Sequence, residues 1–536
     1  MSTLYREGFR DVEGMSGSLL FVRGLSRPAY GEIVAVESSS GVRRTGQILQ
    51  VQEGVAVVQV FEGTMGLDAR SLTVWVERDV LRVPVGEFLI GRVFDGRGRS
   101  LDGLPIPASA VLPVNGAPIN PIRRRSPDTY VETGISAIDM MNTLVRGQKL
   151  PIFSGAGLPV SDLAVQIVRG ARIPGTSDPF LVVFAALGIT QREAQFFLDS
   201  FRSSGILGNS VVFLNLAGDS TVERLLTPRV ALTAAEYFAF ERGYNVLVVM
   251  TDMLAYCDAL REVGAARDEV PGRRGYPGYM YSDLAELYER AGCVEGLPGS
   301  VTQLPIITMP DDDMTHPVVD LSGYITEGQI TLDRTMHERD VFPPIDVLPC
   351  LSRLMNKGIG KGKTFPQHRA LADQLYASYA KAREVERMRL IVGDDGLTAV
   401  ERKYLVFGSL FERSSWARGR GAAPWRRRPG APGSASRCFP SGSSSNYPRP
   451  TSGTTDTHPG RGSSESILVR LTDTRTAPRD AKADSGRPVR PEAARAQARC
   501  PHPLRRGAAA SLSTSPNRVR GMEQADHLSV LHGAHV

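Results

Sequence analysis

The chain has 536 residues, which is enough for three or four domains of ordinary size. Its content of 42% hydrophobic and 22% charged residues is that of a soluble globular protein and argues against a fibre or a membrane protein. Residues 414–536 contain 19 Arg and one Lys against eight acidic residues, which leaves 43 basic and 49 acidic side chains in the first 413 residues. That part of the chain has a formal charge of −6 and is poorly suited to broad electrostatic capture of nucleic acid.

The N-terminal residues 1–9 mix charged, polar and apolar side chains in no order that resembles a signal peptide. The longest apolar runs, such as residues 245–250, are far shorter than the roughly 20 residues that span a bilayer. The five cysteines are widely scattered and fit neither a disulfide framework nor the spacing of a CxxC metal site. We therefore expect a cytoplasmic protein in a reducing compartment.

Short β-rich runs separated by Gly, Ser and charged turns fill residues 17–76. Runs of this length and spacing predict a small antiparallel β-barrel, and we assign it residues 1–76. Residues 77–355 form the second predicted domain. From residue 134 onwards, apolar strands at 149–153, 180–186, 211–215, 245–251 and 301–309 alternate with longer helical segments. This alternation predicts a parallel sheet covered by helices, with ligands at the carboxyl ends of the strands.

Residues 356–413 carry apolar side chains at helical spacing and predict the start of a helical domain that ends abruptly. Residues 414–536 are dominated by Arg, Pro, Ser, Gly and Ala, a composition that buries too little apolar surface to fold, so we expect a disordered tail. A natural basic tail that binds nucleic acid is one interpretation. Out-of-frame translation of a GC-rich gene is the other, and the near absence of Lys favours it.

Residues 149–162 (KLPIFSGAGLPVSD) lie where a predicted strand turns into a helix, the place that a phosphate-binding loop occupies. A working loop needs the pattern GxxxxGK[ST], whose Lys reaches the terminal phosphates. Here Ser154 stands at the first Gly, Pro159 at the second and Val160 at the Lys. The missing ammonium group removes the main clamp on a γ-phosphate, so we expect no tight ATP binding here. A plain strand-to-helix turn is the alternative interpretation.

Four residues remain candidates for a degenerate nucleotide site: Gly155 and Gly157 in the loop, Ser161 where the next helix begins, and Asp252 after a later strand. An Asp in that last position holds Mg²⁺ through a water in nucleotide-binding enzymes. It equally often caps the following helix. We predict no metal site built by this chain's side chains alone.

Several long segments, in the same order, closely resemble the B subunit of V/A-type ATPases and ATP synthases. They are residues 60–64 (VFEGT), 134–142 (GISAIDMMN), 146–157 (RGQKLPIFSGAG), 271–281 (PGRRGYPGYMY), 323–330 (GYITEGQI) and 342–355 (FPPIDVLPCLSRLM). The likeness runs from about residue 16 to residue 413. It implies a P-loop-type (RecA-like) α/β core with an N-terminal antiparallel β-barrel and a C-terminal helical domain.

In that family a catalytic A subunit alternates with a non-catalytic B subunit in a hexameric ring. Catalytic relatives carry a Glu that positions the attacking water after the strand that follows the loop, and Ile189 stands at the matching position here. Arg353 matches the family's arginine finger, which reaches toward the γ-phosphate held by the adjacent catalytic subunit. Without the resemblance, a surface or ion-paired Arg is the ordinary interpretation. Cys350 replaces the first expected Ser of this segment, with similar size and weaker hydrogen bonding.

The resemblance therefore implies a non-catalytic ring subunit of a proton-translocating ATP synthase or ATPase. The implied cofactor is ATP or ADP with Mg²⁺ at the interface with the A subunit, and none is expected to bind to this chain alone. The other implied partners are the central stalk, which residues 391–398 (IVGDDGLT) are expected to face, the peripheral stalk and the proton-translocating membrane sector. The chain is then cytoplasmic and peripheral to the cell membrane. An acidic turn between helices is also common for purely structural reasons.

Two other functions remain open. The chain could be a stand-alone ATPase with an atypical phosphate loop, against which Val160 and Ile189 argue. It could also be a hexameric ATP-driven nucleic-acid motor, which the basic tail favours. The acidic body and the lack of an aromatic-rich basic groove in the barrel weigh against that motor, so we expect no nucleic-acid partner.

Overall fold

The computed structural model describes residues 7–107, 109–116, 118–175 and 178–412. The prediction of a disordered tail at 414–536 therefore lies outside the described residues. Within the described ranges, no helix combines the length and the apolar character needed to cross a membrane.

The N-terminal domain is one antiparallel sheet of seven strands that curls into a half-barrel, which confirms the predicted barrel fold. Small apolar side chains on alternate positions, including Leu20, Val34, Ile48, Val58 and Val74, are fully buried inside it. The order of the strands across the sheet is β1-β7-β4-β5-β6-β3-β2. The strands are β1 (Glu7–Phe9), β2 (Val12–Ser16), β3 (Leu19–Arg23), β4 (Glu32–Ser38), β5 (Arg43–Gln52), β6 (Val55–Val60) and β7 (Leu72–Val80).

Six short strands connect the half-barrel to the central domain. They are β8 (Arg82–Val85), β9 (Val93–Asp95), β10 (Ala110–Pro113), β11 (Arg124–Arg125), β12 (Tyr130–Val131) and β13 (Leu144–Val145). Strands β8 and β10 pair with each other, as do β12 and β13, whereas β9 joins the edge of the large central sheet. The connecting passage is therefore fixed against the central domain by backbone pairing.

The central domain contains the predicted parallel sheet. Its strand order is β21-β20-β14-β19-β17-β15-β16-β9, and all neighbours are parallel except the antiparallel edge pair β20–β21. Strand β18 pairs antiparallel with β19 at its start. The remaining strands are β14 (Ile152–Gly155), β15 (Phe180–Ile189), β16 (Ser210–Leu216), β17 (Asn245–Thr251), β18 (Gly292–Val294), β19 (Ser300–Met309), β20 (Gly328–Thr331) and β21 (Leu351–Ser352).

Helices cover both faces of this sheet, which is why its strands are apolar throughout rather than alternating. On one face, Phe184 of the sheet contacts Phe197 and Phe201 at centroid distances of 4.8 and 5.1 Å. On the other face lies a second buried cluster that includes Phe238. The helices are α1 (Val160–Gly170), α2 (Gln191–Ser203), α3 (Thr221–Glu236), α4 (Met253–Ala266), α5 (Met280–Tyr288), α6 (Pro317–Ile325), α7 (Arg334–Glu338) and α8 (Met355–Gly358).

The C-terminal domain is a hairpin of two helices, α9 (His368–Val392) and α10 (Ala399–Phe411), in agreement with the helical prediction. A capping box between Thr398 and Glu401 starts α10. The rings of Tyr379 and Phe411 lie 5.2 Å apart and hold the two helices together. His368 Nε2 lies 2.9 Å from Met140 O, which joins α9 to the central domain.

Candidate functional site

The degenerate loop lies at the carboxyl end of β14, as the sequence predicts, and it uses its own amides internally. The Leu158 N–H donates to Gly155 O (3.2 Å) and the Val160 N–H donates to Leu158 O (2.7 Å). Pro159, directly before α1, has no N–H to offer. Gly157 adopts a left-handed conformation with φ of +79°. Three consecutive backbone positions of the loop, residues 158–160, thus offer no free amide to a phosphate.

An ion pair that the sequence analysis did not anticipate lies against this loop. Arg334 donates Nε and Nη2 to the two carboxylate oxygens of Asp312 (2.7 and 2.9 Å), and Nη2 also donates to Ala156 O (2.9 Å). The ion pair lies so close to the loop that a Cβ atom added to Gly155 would collide with Asp312 Oδ1. Hydrogen bonds from Arg334 hold the pKa of Asp312 below its usual value. A neutral ion pair therefore lies beside the loop, and the guanidinium that could have met a phosphate is already bonded to Asp312 and Ala156.

Asp252 lies two strands away from the loop. It follows β17, and β19 separates β17 from β14, so the lateral distance is about 10 Å at a strand spacing of roughly 4.8 Å. Its Oδ1 accepts from Leu254 N (2.9 Å) at the start of α4 and from Thr308 N (3.1 Å). Burial raises the pKa of this carboxyl. These are the contacts of the helix-capping alternative.

The position of the expected catalytic Glu is apolar and buried. Ile189 ends β15 and is 6% exposed. The nearest acidic residue along the chain, Glu193, is committed to capping α2: its Oε2 accepts from the Thr190 N–H and hydroxyl, both at 2.9 Å. A carboxylate held in this way is not available to orient a water molecule.

Arg353 directly follows β21, at the edge of the central sheet. Its N–H donates to Glu327 O (2.9 Å) and its Nη1 to Thr326 O (3.2 Å). The residue is exposed, and the guanidinium forms no ion pair with any residue in the described ranges. The backbone of Arg353 is thus anchored to residue 327, and its guanidinium donates to one carbonyl of its own chain but has no acidic partner among the described residues.

The register places Arg353 at the end of the sheet opposite to the loop. Strand β21 runs antiparallel to β20, so Arg353 lies beyond Ser352, level with Glu327 at the amino end of β20. The Glu327 N–H donates to Lys149 O on the neighbouring strand path. Lys149 precedes Gly155 by six residues, which is about 20 Å at roughly 3.3 Å per residue. Arg353 therefore cannot reach a phosphate bound at its own chain's loop.

Basic side chains neutralise the acids beside Arg353. Lys149 Nζ lies 2.7 Å from Glu289 Oε1 and 3.5 Å from Glu327 Oε1, and the Lys149 side chain is only 4% exposed. Arg124 Nη2 lies 2.9 Å from Glu289 Oε2. Because both carboxylates have these partners, the charge of Arg353 remains available to an anion outside the chain.

Cys350 lies on the same edge and behaves as a small hydrogen-bonding group. Its thiol donates to Asp346 O (2.9 Å), and its sulfur accepts from Thr331 N (3.2 Å). Burial raises the pKa of the thiol to about 12, so it stays neutral. It can make the contacts expected of a Ser in this position. In the described ranges, no group of three or more His, Cys, Asp and Glu side chains could hold a metal ion.

Three family models match the chain in order. They are the beta-barrel domain of the ATP synthase alpha/beta family at residues 12–74, the nucleotide-binding domain of that family at 134–352, and the C-terminal domain of V and A type ATP synthase at 357–414. The chain is 54% identical over 418 residues to the V-type ATP synthase beta chains of two strains of Thermus thermophilus, a match that covers 76% of this chain and 87% of each relative. Among solved structures it is similar to the ATP synthase subunit NeqB from Nanoarcheaum equitans, with a TM-score of 0.59 and 38% identity over 74% of this chain and 92% of that one.

Proposed function

Because the chain belongs to the V/A-type branch of the ATP synthase alpha/beta family and is a subunit of that multi-subunit complex, we propose that it is the non-catalytic B-type subunit of the ring. The match to a nucleotide-binding domain indicates that the chain acts where a nucleotide binds. The finer proposal is that Arg353 acts in trans, at ATP or ADP with Mg²⁺ bound by a neighbouring catalytic A subunit.

One observation carries this proposal: Arg353 lies about 20 Å from its own chain's loop, exposed and without an acidic partner in the described part of the chain. A cation in this place can serve only a ligand that another molecule presents. The loop itself supports the same division of roles, because the cation beside it, Arg334, is paired with Asp312, and Val160 replaces the phosphate-binding Lys. A stand-alone ATPase would need a free cation at its own loop.

The chemistry of the guanidinium suits the proposed task. Phosphoryl transfer spreads negative charge over the oxygens of the transferred group, and a planar, permanently charged fork can bind two of them at once. The cation stabilises the transition state more than the ground state, so it raises kcat. Arginine fingers contribute about 10³ to 10⁵ in turnover.

We further propose that A and B subunits alternate in a hexameric ring joined to a central stalk, a peripheral stalk and a proton-translocating membrane sector. The ring then lies in the cytoplasm, peripheral to the membrane. The turn between α9 and α10 is a candidate for the contact with the central stalk. Leu390 and Ile391 beside it are 84% and 85% exposed, which favours burial against a partner.

The test is Arg353→Ala in rings reconstituted from the full chain and its catalytic partner. We expect the ring to assemble and its ATPase kcat to fall by about 10³ to 10⁵. Arg202→Ala is the matched control, because Arg202 is also exposed and its weak ion pair with Asp199 spans 4.0 Å. Wild-type turnover in Arg353→Ala rings would refute the arginine-finger role.

A further inference from the structure

We infer that Gln148 is a positioning residue for the arginine finger, a role that rests on the proposed function of Arg353. Gln148 does not face the partner subunit: its side chain is completely buried beneath the strand pair that ends in Arg353. The inference concerns how the finger is held.

All the hydrogen-bonding groups of the Gln148 side chain are used. Nε2 donates to Glu327 O (3.1 Å) and to Ser352 Oγ (3.0 Å), and Oε1 accepts from Val145 N (2.9 Å). An amide offers two donors and one acceptor oxygen, which matches these three partners. A carboxylate of the same shape could not donate to the Glu327 carbonyl, and an apolar side chain would leave buried groups unpaired.

The two acceptors of Gln148 are the two residues that fix the backbone of the finger. Ser352 immediately precedes Arg353, and the Glu327 carbonyl also accepts the Arg353 N–H (2.9 Å). The Ser352 hydroxyl in turn donates to Thr143 O (2.8 Å). One buried amide therefore joins the strand that carries the finger to the strand beside it.

The strand pair needs this support because it is very short. Strands β20 and β21 share only two residue pairs, Gly328 with Ser352 and Gln329 with Leu351. The approach is also unusually close: Gly328 has φ of +142°, and a Cβ atom there would collide with Leu351 O. A two-pair ladder at the edge of a sheet has few bonds of its own to resist displacement. The Gln148 amide supplies interior bonds on the side away from solvent.

The consequence for catalysis is geometric. A misplacement of about 1 Å can cost about 10²-fold in rate even when it originates away from the reacting atoms. Substrate is held by the catalytic partner, so displacement of the finger should lower kcat and leave KM for MgATP nearly unchanged. A general loss of folding would instead reduce the amount of assembled ring.

The experiment compares Gln148→Met with Gln303→Met in assembled rings of the full chain and its catalytic partner. Gln303 is a matched control, since it is also completely buried, lies on β19 of the same sheet and donates Nε2 to a backbone carbonyl, Leu287 O (3.0 Å). We expect Gln148→Met to lower kcat by about 10- to 100-fold with KM changed by less than about twofold. Gln303→Met should leave the kcat of assembled rings within about twofold of wild type. Equal kcat losses in the two variants, or no loss in Gln148→Met, would overturn the inference.

Two further variants separate the possible outcomes. Ser352→Ala removes one acceptor of Gln148 and decides the question if Gln148→Met does not assemble: a lowered kcat supports the inference and an unchanged kcat refutes it. The double variant Gln148→Met with Arg353→Ala should turn over no more slowly than Arg353→Ala alone, because Gln148 acts only through the finger. If Arg353→Ala is fully active, the proposed function itself fails. If only Arg353→Ala loses activity, the proposed function stands and the positioning role does not.

Discussion

The two ends of the central sheet differ in the charge that they leave unpaired. At the carboxyl end of β14, the carboxylate of Asp312 lies against the loop, and its partner Arg334 also donates to the loop carbonyl of Ala156. At the amino end of β20, the acids are neutralised by the buried Lys149, and the guanidinium of Arg353 is left without an acidic partner in the described part of the chain. The first end therefore presents a closed ion pair and the second an unpaired cation, so an external anion is favoured at the second.

Under the proposed function, this difference explains how a nucleotide-binding fold acts at a nucleotide that it does not hold. The same sheet keeps the strand-to-helix turn that would bind a phosphate, and it projects a cation from the far end. In a closed ring each subunit has two different neighbours, so these two ends meet different interfaces. In the proposed ring, the unpaired charge of Arg353 marks the interface at which this chain contributes to the chemistry.

After the removal of Arg353, the largest loss of kcat is expected from a change in the shape of the cation at this position that keeps its charge. Arg353→Lys preserves the positive charge but loses the planar fork that can bind two phosphoryl oxygens. We expect kcat in assembled rings to fall by roughly 10²-fold, less than the loss expected for Arg353→Ala. Steady-state ATPase assays on both variants measure this. Equal activity of Arg353→Lys and wild type would show that charge alone suffices.

A smaller effect is expected at the carboxyl end. Asp312→Ala removes the carboxylate beside the loop and frees Arg334, so the affinity of the chain for inorganic pyrophosphate should increase about three- to tenfold, or about 0.7 to 1.4 kcal/mol. Isothermal titration calorimetry at low salt measures it, and raised salt should abolish the gain. Asp313→Ala is the control, because Asp313 pairs with Arg274 (2.7 Å) instead. An equal gain in both variants would contradict the special place of Asp312.

The sequence predicts the architecture well because periodic patterns report directly on burial. The half-barrel, the parallel sheet and the helical hairpin are all confirmed. The six connecting strands β8–β13 were not predicted, because they have two to four residues each, too few to show a period. Such strands form where distant partners supply the hydrogen bonds.

The site was predictable only where the type of a single residue indicates its chemistry. Val160 and Ile189 indicate that the phosphate-binding Lys and the catalytic Glu are missing, and Arg353 can be matched to a motif. The Asp312–Arg334 pair joins residues 22 positions apart. Gln148 and Ser352 are 204 positions apart. Neither pairing leaves a local pattern, and the distance from Arg353 to the loop depends on strand register, which a single sequence does not reveal.

The smallest effect is expected at Cys350, on the same edge as the finger. Its thiol already makes the bonds that a hydroxyl would make, to Asp346 O and from Thr331 N, so Cys350→Ser should change the unfolding free energy by less than about 1.5 kcal/mol. It should leave kcat within about twofold, since the strand that carries Arg353 keeps its anchors. Denaturant unfolding and ATPase assays measure the two quantities. In wild type, the pKa of about 12 keeps this thiol protonated, so iodoacetamide at pH 8 should modify it only when the chain unfolds. A kcat loss as large as that of Gln148→Met would mean that the whole edge, rather than the Gln148 amide, sets the position of the finger.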